Sequence, residues 1–217
     1  MDQNTEAARG GLPQTGDIIR FGNCRQLNDM CDYTPIEWRV LEVREADVLL
    51  LSLHGLYASP MAYAPGPVFW HDSPARAALK HFFEQRTIGL RDEALRPCGV
   101  PGAEQDRLFL LSAEEMRRYL PSTTRRQCTA TEYAEAVGIV FDGDMSWTDL
   151  RPWWLRPCGT AKESADFVFP SGRVGAHDPV HGSLLLRPAL RADLRGIRWE
   201  PGRNDPARKY AYLLRID

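Results

Sequence analysis

The chain contains two adjacent tryptophans, Trp153 and Trp154, that lie between two prolines. Pro152 and Pro157 fix their own φ angles and lack an amide donor, so at most a short extended segment fits between them. Neighbouring side chains of a strand point to opposite faces. We therefore expect one tryptophan to enter a core and the other to lie at its edge, near Arg156.

The composition is typical of a soluble globular protein. The chain has 217 residues, of which 43% are hydrophobic and 26% are charged, and its net charge of −2 argues against general nucleic-acid binding. We find no targeting segment and no apolar run long enough to span a membrane. The odd number of widely spaced cysteines then favours reduced thiols and a cytoplasmic location.

Three helices are indicated by their start signals. Ser73-Pro74 has a capping residue followed by proline at the first helical position. Capping boxes occur at Ser112-Ala113-Glu114-Glu115, with a stop near Pro121, and at Thr129-Ala130-Thr131-Glu132, with Gly138 as the C-cap. These signals predict two to three helices in the middle of the chain.

Short strands are indicated by alternating or continuous apolar runs bounded by turn residues. Hairpins are expected within 36–53 and 166–176, and residues 195–209 are expected to be an exposed excursion. The predicted strands cover residues 16–22, 36–43, 48–53, 108–111, 153–154, 166–169, 173–176, 183–190 and 210–216. Strands at both ends with helices between them predict one α+β domain over 16–217, with paired termini and mainly antiparallel strands, after a flexible leader at 1–15.

Five ordered motifs resemble a family of bacterial domains of unknown function. They are Gly16-Asp17-Ile18-Ile19-Arg20-Phe21-Gly22, Pro35-Ile36-Glu37-Trp38-Arg39-Val40-Leu41, Phe109-Leu110-Leu111-Ser112, Trp153-Trp154-Leu155-Arg156 and Arg187-Pro188-Ala189-Leu190. The family signature reads P-I-E-W-x-V-L, F-L-L-S, W-W-L-R-S-P-G and V-R-P-A-L. This chain departs from it at Pro157 and Cys158, where the family has serine and proline.

The resemblance implies a C-type-lectin-like fold and a non-catalytic domain that binds a protein or glycan, alone or within a larger assembly. The implied ligand surface lies on loops over residues 156–183. Its expected polar lining, with one tryptophan at the edge, is Trp154, Arg156, Lys162, Glu163, Asp166, Arg173, His177, Asp178 and His181. For the tryptophans themselves we favour the other interpretation, in which both pack in a core, because large aromatic side chains are mostly core residues.

Two other functions stay open. Formylglycine-generating enzymes share the implied fold and use cysteine pairs, so Cys158 is a candidate redox residue if a base or second thiol lies nearby. Variable proteins of diversity-generating retroelements share it too. Diversification through adenines tends to leave asparagine codons, whereas here only Asn204 lies beyond residue 28.

Metal binding is considered at two places, and no resident cofactor is predicted. His177, Asp178 and His181 offer three possible zinc ligands. A structural zinc site needs four ligands, so we expect a polar turn here. Asp142 and Asp144 have a spacing that calcium accepts, without the downstream glutamate of the twelve-residue calcium loop. Calcium binding by loop oxygens at this place is the alternative, because lectin-like folds can hold calcium in their loops.

Overall fold

The computed structural model of the chain describes residues 12–90, 92–143, 145–157, 164–195, 197–201 and 208–213. These residues form an α+β fold with four α-helices and two sheets of mostly antiparallel strands. The helices are α1 (Pro74–Arg86), α2 (Ala113–Tyr119), α3 (Thr123–Arg126) and α4 (Glu132–Val137). The strands are β1 (Ile18–Cys24), β2 (Thr34–Val43), β3 (Asp47–Ser52), β4 (Tyr57–Pro60), β5 (Thr87–Ile88), β6 (Leu95–Arg96), β7 (Leu108–Phe109), β8 (Trp153–Trp154), β9 (Ala165–Val168), β10 (Val174–His177), β11 (Ser183–Leu186), β12 (Ala189–Asp193), β13 (Ile197–Pro201) and β14 (Arg208–Leu213).

The larger sheet collects strands from both ends of the chain. Its order is β13-β14-β1-β2-β3-β12-β6, with β5 paired to β1 and β7 to β12. β2 and β3 form the predicted antiparallel hairpin. β14 lies parallel to β1, with Ile18 opposite Arg208. The prediction that strands from the two ends pair in one sheet is confirmed.

Part of the segment 195–209, which was expected to be an exposed excursion, is a strand of the larger sheet. β13 pairs antiparallel with β14, and Trp199 lies opposite Ala211. Ile197 and Trp199 alternate with Arg198 and Glu200, which is the period of a strand that the proline and glycine content of the segment obscured. Residues 202–207 lie outside the described part of the chain.

The smaller sheet has β8 at its centre, in the order β10-β9-β8-β11-β4. β9 and β10 form the second predicted hairpin, with Val168 opposite Val174. β8 pairs antiparallel with β9 and parallel with β11. The tryptophan pair therefore lies inside a sheet, with a strand on each side.

Residues 183–190, predicted to be one strand, divide into two strands in different sheets. β11 pairs with β4 in the smaller sheet, and β12 pairs with β3 in the larger one. Pro188 stands between them and has no amide to donate to a ladder, while its carbonyl accepts from the Ser52 amide at 2.9 Å. Arg187 and Pro188 thus form the crossover between the two sheets.

Two helices begin at the residues that the capping signals in the sequence predicted. The Ser73 side chain accepts from the Arg76 amide at the start of α1, and Ser112 and Glu115 form a complete capping box on α2. α4 begins after Thr131 rather than Thr129, because the Thr129 hydroxyl instead lies 2.7 Å from His54 Nδ1.

One helix was missed, and one predicted C-cap is present. α3 is a single turn capped by Ser122, too short to carry a periodic apolar pattern. Gly138 ends α4 with a φ of 110°. None of the described helices combines the length and apolar character needed to cross a membrane.

Both tryptophans of β8 are core residues, which is the interpretation favoured for them above, and neither lies at an edge. Trp153 and Trp154 are each 0% exposed. Packing covers both faces of β8, so opposite-facing side chains are both buried. The indole N–H groups are satisfied by main-chain oxygens, that of Trp153 by Arg126 at 2.8 Å and that of Trp154 by Ser59 at 2.9 Å.

The predicted leader falls largely outside the described residues, which begin at Leu12. Of its last residues, Pro13 is buried, and the Gln14 amide donates to the Asp17 carboxylate at 2.8 Å. The chain therefore forms a local turn directly before β1.

Candidate functional site

A pocket of about 270 Å³ lies where three separate segments of the chain meet. We name it the Arg156 pocket after the charged residue on its wall. Ligand pockets for drug-sized molecules span about 300–1,000 Å³, so this one suits a smaller group. The described residues that line it are Val68, Phe69, Trp70, His71, Val100, Pro101, Arg156 and Pro157.

The aromatic wall of the pocket is fixed by the start of α1. A short 3₁₀ turn, Trp70–Asp72, leads into the helix, and both the amide and the hydroxyl of Ser73 donate to the Trp70 carbonyl. Trp70 is 3% exposed, whereas Phe69 is 39% exposed and its ring lies 5.5 Å from that of His71. One aromatic ring is therefore set into the protein and two lie near the surface.

The opposite wall is a turn that Arg76 of α1 holds in place. Arg76 donates to both carboxylate oxygens of Asp106, from Nε at 2.6 Å and from Nη2 at 3.0 Å, and this raises the pKa of the guanidinium. The Asp106 carbonyl accepts from the Cys98 amide at 2.8 Å. Arg76 Nη1 also donates to the His71 carbonyl. One guanidinium thus joins the His71 wall to the turn that carries Val100 and Pro101.

The two walls approach closely at Gly102, which has a φ of +74°. A Cβ atom built there would lie 2.9 Å from Cβ of His71. Glycine is therefore required by both the backbone conformation and the available space.

Arg156 is held by the start of α2. It is 8% exposed, and its Nε donates to the Leu110 carbonyl at 3.1 Å. Its Nη2 lies 2.8 Å from Oε2 of Glu115, the same oxygen that accepts from the Ser112 amide at 2.7 Å. The capping-box carboxylate of α2 is therefore also the counter-ion of Arg156. A guanidinium fixed in this way has lost its conformational freedom before any ligand binds.

The indole N–H of Trp70 is buried and has no hydrogen-bond partner among the described residues. Leaving such a donor unpaired costs about 1–3 kcal/mol. Trp70, which lines the pocket, thus carries a hydrogen-bond donor that no described residue satisfies.

Trp154 and His177, two of the residues predicted from the sequence, lie together in an aromatic cluster. The His177 ring stacks on Trp154 with centroids 6.1 Å apart and meets the edge of Phe141 at 5.5 Å. His177 is partly buried, and its Nε2 has no partner among the described residues. Trp154 has no exposed surface for a ligand in this conformation, so its place here is in the core beneath His177.

Asp178 and His181 form a second, exposed group. The Asp178 carboxylate accepts from the Val180 amide at 2.8 Å and lies 2.9 Å from Nδ1 of His181. The bond to His181, followed by the two backbone amides, lowers the pKa of Asp178 to about 2, and the same pairing raises the pKa of His181. This geometry is that of a polar turn.

The remaining predicted site residues are dispersed or outside the described chain. Arg173 is exposed in the β9–β10 turn, and Asp166 is partly buried on β9. Lys162 and Glu163 lie outside the described residues, as do the redox candidate Cys158 and the calcium candidate Asp144. Among the described residues, no group of three or more His, Cys, Asp or Glu side chains could hold a metal ion.

Sequence reasoning missed most of the pocket. It found Arg156 but did not identify Trp70, His71, Val100 or Pro101 as candidate site residues. A signal was present in Phe69-Trp70-His71, three aromatic residues directly before a well-marked helix start. Nothing in the sequence indicated that Arg156 would lie against them.

No family model matches the chain, and no curated protein or solved structure matches it either.

Proposed function

We propose that this chain is a non-catalytic binding domain on a C-type-lectin-like scaffold, and that its ligand site is the Arg156 pocket. The occupant is a small molecule, or one terminal residue of a protein or glycan partner. The observation that carries this proposal is a buried guanidinium, held in place by Leu110 and Glu115, among the lining residues of an aromatic-lined pocket. Pockets with apolar walls and a few fixed polar groups are the usual form of a ligand site.

The chemistry of the lining supports binding rather than catalysis. Arg156 presents its N–H donors in a fixed plane, and such a planar group suits the orientation of a bound ligand. Five of the other lining residues are aliphatic or proline or phenylalanine, namely Val68, Phe69, Val100, Pro101 and Pro157. Such groups contribute contact area and exclude water.

The scaffold part of the proposal rests on the five ordered motifs, the α+β fold and the pairing of β1 with β14. The exposed residues Arg173, Asp178 and His181 stay predicted contacts for a larger partner. A cytoplasmic location is also part of the proposal, and it is supported by the free thiols of Cys24, Cys31, Cys98 and Cys128.

The test uses 3-phenylpropanamide, an uncharged probe with one ring, and the Phe69→Ala variant of the full chain. Phe69 is on the pocket wall and 39% exposed, so its removal spares the core. Tyr63→Ala is the matched control, because Tyr63 is 82% exposed and does not line the pocket. We expect saturable binding by calorimetry that weakens several-fold in Phe69→Ala and is unchanged in Tyr63→Ala. Equal affinity in all three proteins would show that the site is elsewhere.

A further inference from the structure

We propose that Arg39 of β2 and Arg125 of α3 form a binding site for a phosphate group, either free or carried by a small phosphomonoester. Neither arginine is among the described residues that line the Arg156 pocket. The site is therefore separate from that pocket and does not depend on the function proposed for it. Arg39 is partly buried and Arg125 is exposed, so the pair lies at the surface.

The side chain of Arg39 projects from the larger sheet on the side that the α3 segment covers. Arg39 lies directly opposite Leu51 of β3, and residues opposite each other in paired strands share a face of the sheet. Leu51 belongs to the core cluster that also contains Leu120 and Cys128, which flank α3 in the sequence. Arg39 and α3 are therefore on the same side of the sheet.

Arg187 joins the strand next to Arg39 to the helix that carries Arg125. Its Nε donates at 2.9 Å to the carbonyl of Ser52, which follows the residue opposite Arg39. Its Nη1 donates at 3.3 Å to the carbonyl of Arg126, the residue after Arg125. The main chain beside each arginine of the proposed site is thus held by one buried guanidinium.

The two arginines of the site have no counter-ion in the part of the chain that the structure describes. Their side chains form no hydrogen bond or ion pair there. Glu37, two residues before Arg39 on the same face of β2, is paired with Arg20 at 2.9 Å. Burial and then the charge of Arg125 lower the pKa of Arg39. Arg39 in turn contributes, after burial, to the lowered pKa of Arg187. Arg39 therefore lies within electrostatic range of two like charges.

A phosphate dianion suits this arrangement better than a carboxylate. The two oxygens of a carboxylate are already matched by the fork of one guanidinium. A phosphate group has more acceptor oxygens and up to two negative charges, so it can accept from two guanidinium groups at once. Arg187 adds positive charge rather than a contact, because its Nε and Nη1 are bonded to main-chain oxygens. The bound anion offsets both the repulsion between the cations and their partial loss of water.

The experiment measures binding to the full chain by calorimetry at about pH 8, above the second pKa of a phosphomonoester at about 6. Inorganic phosphate and phenyl phosphate are the dianionic probes for the two sources. Dimethyl phosphate, a monoanion with two blocked oxygens, is their control. We expect at least one dianion to bind roughly 10-fold or more tightly than dimethyl phosphate, and the tighter dianion identifies the source. Equal affinity for all three probes, or binding of none, would overturn the inference.

Arg39→Met and Arg125→Met each remove one charge and keep an aliphatic side chain. Each should weaken binding of the tighter dianion about 10-fold or more, as is typical for hydrogen bonds to charged groups. Arg86→Met, on an exposed arginine of α1, makes the same change in net charge and should leave the affinity nearly unchanged. Arg125 is exposed, so Arg125→Met tests the site even if Arg39→Met does not fold. Undiminished binding in Arg125→Met, or an equal loss in Arg86→Met, would refute the site.

Discussion

The guanidinium of Arg187 lies over the indole ring of Trp153, with Cζ 5.2 Å from the ring centroid. The contact joins two of the five sequence motifs at the point where the chain crosses from β11 to β12. Arg187 is 2% exposed and donates from Nε to the Ser52 carbonyl at 2.9 Å and from Nη1 to the Arg126 carbonyl at 3.3 Å. Burial lowers the pKa of this guanidinium. The indole face and main-chain oxygens therefore stabilise a cation inside the fold.

Replacement of Arg187 by methionine should destabilise the protein strongly. The substitution removes the side-chain donor to the Ser52 carbonyl and the contact with Trp153, both of which are buried. We expect a loss of about 3 kcal/mol in the free energy of unfolding, measured by urea denaturation. Arg195→Met, on an exposed arginine, should change it by less than about 0.5 kcal/mol. Similar losses in both variants would contradict this account of Arg187.

A buried and an exposed tryptophan should differ in the loss of unfolding free energy when each is replaced by phenylalanine. Trp154→Phe removes the hydrogen bond to Ser59 and leaves a cavity, so we expect a loss of about 1–3 kcal/mol in unfolding free energy. Trp147 is 67% exposed, and Trp147→Phe should cost less than about 0.5 kcal/mol. Chemical denaturation of both variants checks the difference. A near-neutral Trp154→Phe would mean that Trp154 is not the core residue described above.

Glu115 should matter more than its neighbour Glu114. Glu115→Gln keeps an acceptor for the Ser112 amide but removes the negative charge paired with Arg156. We expect a loss of about 1 kcal/mol, since the Glu115 side chain is 36% exposed and partly screened. Glu114→Gln, at an exposed position of α2, is the matched control and should be near neutral. Equal urea midpoints for the two variants would show that the ion pair contributes nothing.

The pairing of Asp178 with His181 predicts a particular pH dependence. The raised pKa of His181 gives stability that is present at acidic pH and lost as pH rises through the folded value. The lowered pKa of Asp178, about 2, gives stability that is present above its unfolded pKa and lost as pH falls through about 2. In an NMR titration of His181, Asp178→Asn should lower the midpoint, and Asp142→Asn should lower it less, because Asp142 contributes a smaller attraction. An unchanged midpoint in Asp178→Asn would refute the pairing.

Local features of the fold could be predicted from the sequence because their causes are local. Ser73-Pro74 and the Ser112–Glu115 capping box mark helix starts through contacts within four residues. The hairpin of β2 and β3 follows from two apolar runs joined by a short polar turn. The capping box predicted at Thr129 was wrong for a non-local reason. The Thr129 hydroxyl contacts His54, which is 75 residues away in the sequence.

The site could be predicted only in part because it is assembled from distant segments. Arg156 stood out as a cation in an aromatic, proline-rich stretch. Its counter-ion Glu115 is 41 residues away, and its aromatic neighbours precede α1. Burial of Trp154 depends on strands packed around β8, which the alternation of a two-residue strand cannot reveal.

The most direct test of the Arg156 pocket is a two-dimensional ¹H–¹⁵N NMR titration of the full chain with 3-phenylpropanamide. The account predicts that the largest saturable shifts fall on the amides of Phe69, Trp70, His71, Val100 and Gly102 and on the Nε–H of Arg156. It also predicts that the amides of the Asp178–His181 turn shift little. Shifts centred on that turn, with the pocket amides unchanged, would contradict the assignment of the site.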